Sequence, residues 1–186
     1  LVGSEMCIRD RYKTAGADRL MCVDLHTSQI QGFFDGPLDH LFAIPVLAKH
    51  IRERVDDLSN VTVVSPDTGR VRVAEHWADL LDGAPLAFVH KTRDINVPNQ
   101  AVSKTVVGDI EGRTCVLIDD MIDTGGTIAG AVKVLMDKGA KEVIIAATHP
   151  VLSDPAAERL SQCGAVEVVV TNTPVSYTHL TLPTSD

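Results

Sequence analysis

The stretch TCVLIDDMIDTGGTIAGAVKVLMDKGA (114–140) constrains the fold more than any other part of the sequence. TCVLIDD (114–120) is a continuous apolar run ending in two carboxylates, the pattern of a strand buried on both faces. TGGTIAGAVKVLMDKGA (124–140) follows as a helix, with Gly139 as its stop. The same alternation extends to either side. LMCVDL (20–25), VTVVS (61–65), LAFVH (86–90), EVIIAATH (142–149) and AVEVVVTNT (165–173) read as strands. Residues 43–55 place Val46, Leu47, Ile51 and Val55 at helical spacing, residues 70–82 place Val73, Trp77, Leu80 and Leu81 on one helical face, and residues 155–162 form a short helix. KTRDINVPNQAVSKT (91–105) is polar and without apolar period, and so long a connection in a compact domain is usually functional. Strands alternating with helices predict an α/β fold: a mostly parallel sheet flanked by helices and joined by right-handed crossovers. Ligands of such sheets sit beyond the carboxyl ends of the strands. Asp24, His26, Asp67, His90, Lys91, Asp119 and Asp120 fall at such ends or just past them.

Charge and cysteines exclude several classes. The 186 residues hold 17 Lys+Arg against 25 Asp+Glu, a net charge of −8, which argues against a nucleic-acid surface held by bulk positive charge. No apolar run approaches the roughly 20 residues that span a bilayer, so no membrane partner is expected. Cys7, Cys22, Cys115 and Cys163 lie far apart without a C-x-x-C pair, the pattern of buried thiols in a reducing compartment. No basic region followed by an apolar stretch opens the chain, and the expected location is the cytoplasm. Residues 1–12 (LVGSEMCIRDRY) and 175–186 (VSYTHLTLPTSD) make no coherent element and resemble translated sequencing-adapter read-through. Setting both apart leaves residues 13–174 as one α/β core.

The motif VLIDDMIDTGGT (116–127) carries the chemistry. The strand delivers Asp119 and Asp120 to the edge of the sheet, and Asp123, Thr124, Gly125, Gly126 and Thr127 turn into the helix. Backbone N–H groups at a helix start point outward beside the positive end of the macrodipole. The glycines let a phosphate approach, and the two Thr hydroxyls add donors. Two carboxylates beside such a cradle suit vicinal sugar hydroxyls or a metal, which together describe a pentose-phosphate site. The plainer alternative is an N-capped helix with Thr124 or Asp123 as the cap. In the second motif, DLHTSQIQGFFDGPLD (24–39), Asp24 and His26 sit two residues apart at a strand end, where alternation puts both on one face. A divalent cation accepts either group, though Mg²⁺ prefers oxygens and keeps several waters.

The loop 116–127 resembles the ribose-5-phosphate-binding loop of the type I phosphoribosyltransferase fold, and the resemblance implies that Asp119 and Asp120 hold ribose hydroxyls while Asp123–Thr127 bind the 5-phosphate. The string 24–39 is similar to the divalent-cation signature of the ribose-phosphate pyrophosphokinases, which salvage phosphoribosyltransferases lack. VVSPDTG (63–69) resembles that family's second metal segment and would bring Asp67 near His26. FVHKTRDINVPN (88–99) resembles its catalytic loop, with Lys91 and Arg93 as the cations, and TNT (171–173) resembles a segment near its C-terminal region. The likeness covers residues 13–173. It implies transfer of the β,γ-pyrophosphoryl group of ATP to the C1 hydroxyl of ribose 5-phosphate, giving phosphoribosyl pyrophosphate and AMP. Mg²⁺ would be the cofactor, ATP and ribose 5-phosphate the ligands, and a hexamer-type homo-oligomer the assembly. Lys91 and Arg93 would clamp phosphoryl oxygens, with Arg93 also reaching ribose 5-phosphate. A salvage phosphoribosyltransferase and a non-catalytic regulatory homologue are the alternatives.

Three departures stand out. Arg70 follows Gly69 where the family shows a second glycine, Pro150 follows His149 where a glycine is expected, and the family's N-terminal region, which supplies much of the ATP site, has no counterpart. The expectation is therefore a chain inactive by itself. Trp77 is expected in the core, Cys22 and Cys115 as inert thiols, and His40, His50 and His76 as surface or satisfied residues.

Overall fold

The computed structural model describes residues 11–92 and 103–174. Arg93, residues 1–10 and residues 175–186 lie outside the described residues, so the expectation of foreign ends concerns, apart from Arg11 and Tyr12, residues not described. The chain forms two compact units, Leu1–Ala43 and Ile44–Asp186.

In the first unit β1 (Leu20–Val23) pairs in parallel with β2 (Leu38–Leu41), in register from Leu20↔Leu38 to Val23↔Leu41. The sequence pattern does not announce β2, because Asp39 and His40 interrupt any apolar period. Its polar residues are instead tied down by partners. Arg19 grips Asp39 with two bonds, Nε to Oδ2 at 2.6 Å and Nη2 to Oδ1 at 2.9 Å. His40 Nε2 accepts the Leu25 N–H at 3.0 Å, and its Nδ1 meets the Gln31 amide at 3.0 Å.

The second unit is built on a six-stranded sheet. Its strands are β3 (Val61–Ser65), β4 (Leu86–Thr92), β5 (Ser103–Val107), β6 (Thr114–Ile122), β7 (Glu142–Pro150) and β8 (Glu167–Val170), in the order β5-β4-β3-β6-β7-β8. All neighbours are parallel except β4 and β5. The mostly parallel sheet is thus as expected, with an antiparallel edge strand added. Of the polar connection 91–105, residues 91–92 extend β4 and residues 103–105 enter β5.

Among the described residues, four α-helices follow the expected order: α1 (Ile44–Arg54), α2 (Val71–Leu80), α3 (Gly126–Asp137) and α4 (Ala156–Gln162). The core divides by strand alternation. Cys115 and Leu117 of β6 and Val143, Ile145 and Ala147 of β7 pack with Ile128, Ala131, Val132 and Leu135 of α3. Val116, Ile118, Ile144 and Ala146 are equally buried and belong to the opposite face. There α2 packs on β3 and α1 on β7. Trp77 is 2% exposed, in the core as expected. On α1 the buried face is Ile44, Leu47, Ala48 and Ile51, whereas Val46, expected inside, is 70% exposed. The real stripe runs through the small Ala48, which a search for large apolar residues passes over. Burial pushes the Cys115 thiol up to about 11, so it stays protonated and inert. Among the described residues, no helix is long and apolar enough to cross a membrane.

Candidate functional site

The site is assembled around β6, which lies between β3 and β7. Thr114–Ile118 are wholly buried, and pairing with β7 continues to Ile122↔Pro150. Asp119 and Asp120 therefore sit inside the strand, not at its end as the apolar run suggests. The hydrophobic signal stops at Ile118, while the ladder runs on. Pro150, the residue that stands where a glycine is expected, is the last residue of β7.

Neighbouring strand residues ordinarily face opposite ways. Here both carboxylates meet one guanidinium: Arg70 Nη2 lies 2.7 Å from Asp120 Oδ1, and Arg70 Nε lies 3.4 Å from Asp119 Oδ1. Side-chain exposure is 17% for Arg70, 14% for Asp119 and 11% for Asp120, so the cluster is largely removed from solvent. The Asp120 N–H also donates to Asp119 Oδ1 at 2.9 Å. Burial, and then the adjoining Asp120 carboxyl, push Asp119 up to about 7, while the Arg70 charge pulls it down.

That shift has a sign that can be measured. Asp119 is raised above its unfolded value of 3.8, so between about pH 4 and pH 7 the folded state holds a proton that the unfolded state has released. The contribution of Asp119 to stability is full below that window and is lost as pH rises through it. Asp119→Asn removes this dependence and keeps an acceptor for the Asp120 N–H. Thermal unfolding should show the variant gaining on the parent between pH 5 and pH 8. Parallel pH profiles for the two proteins would contradict the shift.

Beyond β6 the chain turns through Asp123 and Thr124, both exposed, into α3. The first residue outside the helix is Gly125, at φ +70°, and no side chain caps the helix start. The plainer expectation, Asp123 or Thr124 as N-cap, is thereby corrected. The left-handed cap position carries no side-chain oxygen, and the first intrahelical bond runs from Ala129 N–H to Gly125 O at 2.9 Å. The amides of Gly126, Thr127 and Ile128 precede that bond, at the positive end of a 12-residue helix. Ile128, Ala131, Val132 and Leu135 anchor the helix behind them. Burying an Ile, Val or Leu side chain stabilises by about 1.5–3 kcal/mol, enough to hold the amide array in place. Arg159 of α4 closes one flank. Its Nη1 donates to Thr124 O at 3.0 Å and lies 3.4 Å from where a Cβ on Gly126 would stand. Nothing in the local sequence pattern singles out this cation.

The segment SPDTG also has a defined shape. Asp67 Oδ1 accepts the Gly69 N–H at 2.8 Å, and Ser65 Oγ donates to Asp67 O at 2.6 Å. A Cβ at position 69 would stand 3.2 Å from Asp67 Oδ1, so glycine suits this tight turn. The turn delivers Arg70 to the carboxylate pair. Lys91 lies in β4, in register with Lys104 of β5. In the first unit Asp24 departs from strand geometry at φ +43°, so simple alternation does not govern Asp24 and His26. The Asp24 carboxylate accepts the Ala43 N–H at 3.0 Å, a strand-end role, and His26 is exposed. At the far end of β7, His149 Nδ1 meets Thr173 Oγ1 at 2.7 Å, and Thr171 Oγ1 donates to Thr148 O at 2.6 Å. The TNT segment is thereby fastened beside the sheet's carboxyl edge.

Among the described residues, no three His, Cys, Asp or Glu side chains gather as a closed metal cage. Asp67 in the second unit and Asp24 in the first each offer carboxylate oxygens, the donor type that Mg²⁺ takes, whereas His26 offers nitrogen. That ion is usually held by one or two carboxylates with waters and substrate phosphates, not by an all-protein cage.

Residues 39–179 match the phosphoribosyl transferase domain family. The chain is 68% identical over 170 residues to the ribose-phosphate pyrophosphokinase of Mycobacterium tuberculosis, covering 91% of this chain and 52% of that protein. It is 67% identical over 165 residues to the ribose-phosphate pyrophosphokinase of Bifidobacterium longum, covering 88% of this chain and 48% of that one. Among solved structures, phosphoribosylpyrophosphate synthetase from Mycobacterium smegmatis superposes with a TM-score of 0.85 at 61% identity, over 93% of this chain and 55% of its own. The chain thus spans about half the length of the relatives it matches.

Proposed function

The chain belongs to the phosphoribosyl transferase domain family, and from that premise we propose that it carries the ribose 5-phosphate site of a cytoplasmic ribose-phosphate diphosphokinase. The observation that carries the proposal is the start of α3. It has backbone amides, no side-chain cap, and a buried pair of carboxylates on the strand that leads into it. The amides of Gly126 and Thr127, with the Thr124 and Thr127 hydroxyls, bind the 5-phosphate, and Gly125 and Asp123 shape the turn. Asp119 and Asp120 accept hydrogen bonds from the ribose hydroxyls and so orient the sugar. Transfer of the pyrophosphoryl group from ATP then requires stabilised charge on phosphoryl oxygens more than a covalent nucleophile. Lys91 supplies a point charge for those oxygens, and Arg93 is its proposed partner. Mg²⁺, when bound, neutralises charge on the phosphates. Asp67 in the second unit, and separately Asp24 and His26 in the first, are the residues proposed to hold the ion or its waters. A homo-oligomer, of the hexamer type that the resemblance implies, is part of the same proposal.

A chimera tests this reading. In it, the chain replaces the matched 170-residue segment of the Mycobacterium tuberculosis relative. With Mg²⁺, ATP and ribose 5-phosphate the folded chimera should form AMP, and the 186-residue chain alone should not. Turnover by the lone chain at about 1 per second, within the usual enzyme range, would contradict the expectation of an inactive chain. No AMP from the folded chimera, with pyrophosphate released from phosphoribosyl pyrophosphate and a nucleobase, would assign a salvage transferase instead.

A further inference from the structure

We propose that Arg70 is a positioning residue for sugar recognition: it fixes the orientation in which Asp119 and Asp120 accept the vicinal hydroxyls of a pentose phosphate. The inference rests on the ribose 5-phosphate reading above and deepens it.

Three observations converge on this role. The guanidinium contacts one oxygen of each carboxylate, Oδ1 in both cases, so a single rigid fork sets the rotation of both groups. All three side chains are at most 17% exposed, where a pair of neighbouring carboxylates without an opposing charge is costly. Finally, the preceding turn is built to deliver this residue: Asp67 Oδ1 holds the Gly69 N–H at 2.8 Å, and a side chain at position 69 would crowd that oxygen. A carboxylate has about four acceptor sites spread over two oxygens, and the Arg70 contacts, with the Asp120 N–H on Asp119, fall on Oδ1. A turned carboxyl would offer the sugar hydroxyls a poorer alignment.

The test compares the 186-residue chain with its Arg70→Gln and Arg70→Lys variants, each confirmed folded by its unfolding transition. Calorimetric titrations use ribose 5-phosphate, 2-deoxyribose 5-phosphate and inorganic phosphate. The parent should prefer ribose 5-phosphate to the 2-deoxy sugar. Arg70→Gln should weaken ribose 5-phosphate binding by about tenfold and erase most of that preference, the effect of losing a charge-assisted acceptor arrangement. Inorganic phosphate, bound by the α3 amides and the Thr124 and Thr127 hydroxyls and not by the carboxylate pair, should be unaffected. Arg70→Lys should recover the preference in part, because the charge remains without the fork. Unchanged preference in Arg70→Gln, equal weakening of all three ligands, or tighter ribose 5-phosphate binding would each overturn the role; tighter binding would make Arg70 a competitor of the sugar. A parent that binds all three ligands alike would instead refute the underlying reading of Asp119 and Asp120. Should Arg70→Gln not fold, a partial or complete loss of the preference in Arg70→Lys supports the role and full retention overturns it.

Discussion

Gly126→Val should lower the affinity of the chain for ribose 5-phosphate by about a hundredfold or more, the scale of losing several charge-assisted bonds at once, while leaving the protein folded. Gly126 is the first residue of α3 and is exposed. A Cβ there would meet only Arg159 Nη1, at 3.4 Å, the far end of a flexible side chain that can yield. The two added methyl groups would stand over the unbonded amides and hold a phosphate away from them. Thr127→Ala removes one hydroxyl donor and should cost about threefold to tenfold, a single hydrogen bond. Gly125 is a poor place for the same test. Its φ of +70° strains a β-branched side chain, so Gly125→Val confounds binding with stability. Calorimetry with the two position-126 and position-127 variants checks the order. Equal binding by the parent and Gly126→Val would show that phosphate does not use these amides.

Lys91→Ala should reduce turnover of the active chimera by about a hundredfold to a thousandfold, with both Michaelis constants within about threefold. This is the range seen when one preorganised donor to a developing anion is removed. A cation that meets charge formed mainly in the transition state contributes little to ground-state binding, so the loss belongs in kcat. Lys91 lies one residue before the end of β4, in register with Lys104. Initial-rate measurements of AMP formation separate the two parameters. Normal turnover with a large rise in either Michaelis constant would assign Lys91 to substrate binding instead.

The parts of the molecule legible in the sequence are those whose stability is local or fully buried. VLI before the acidic pair could only be a central strand, and Gly139, at φ +89°, ends α3 where a helix stop was expected. β2 and β5 were not legible, because short edge strands take their definition from the partner's ladder and show no apolar period of their own. The position of Asp119 and Asp120 within β6 was missed for a related reason: β7 keeps pairing after the apolar run has stopped. Arg70 was visible only as a departure from a glycine, since a contact made about 50 positions away leaves no periodic trace. Arg159 left none either. Asp67, Asp24 and His26 were legible as metal-binding residue types, but Asp67 is engaged with Gly69 and Asp24 with Ala43, contacts that motif spacing does not reveal.

Titration of ribose 5-phosphate into the 186-residue chain, read by calorimetry and by the amide resonances of residues 119–127, tests the central claim most directly. The account predicts saturable binding at one site, with the largest resonance shifts at Gly126 and Thr127 and smaller ones at Asp119 and Asp120. Absence of binding by a folded chain, or shifts that bypass the start of α3, would contradict it.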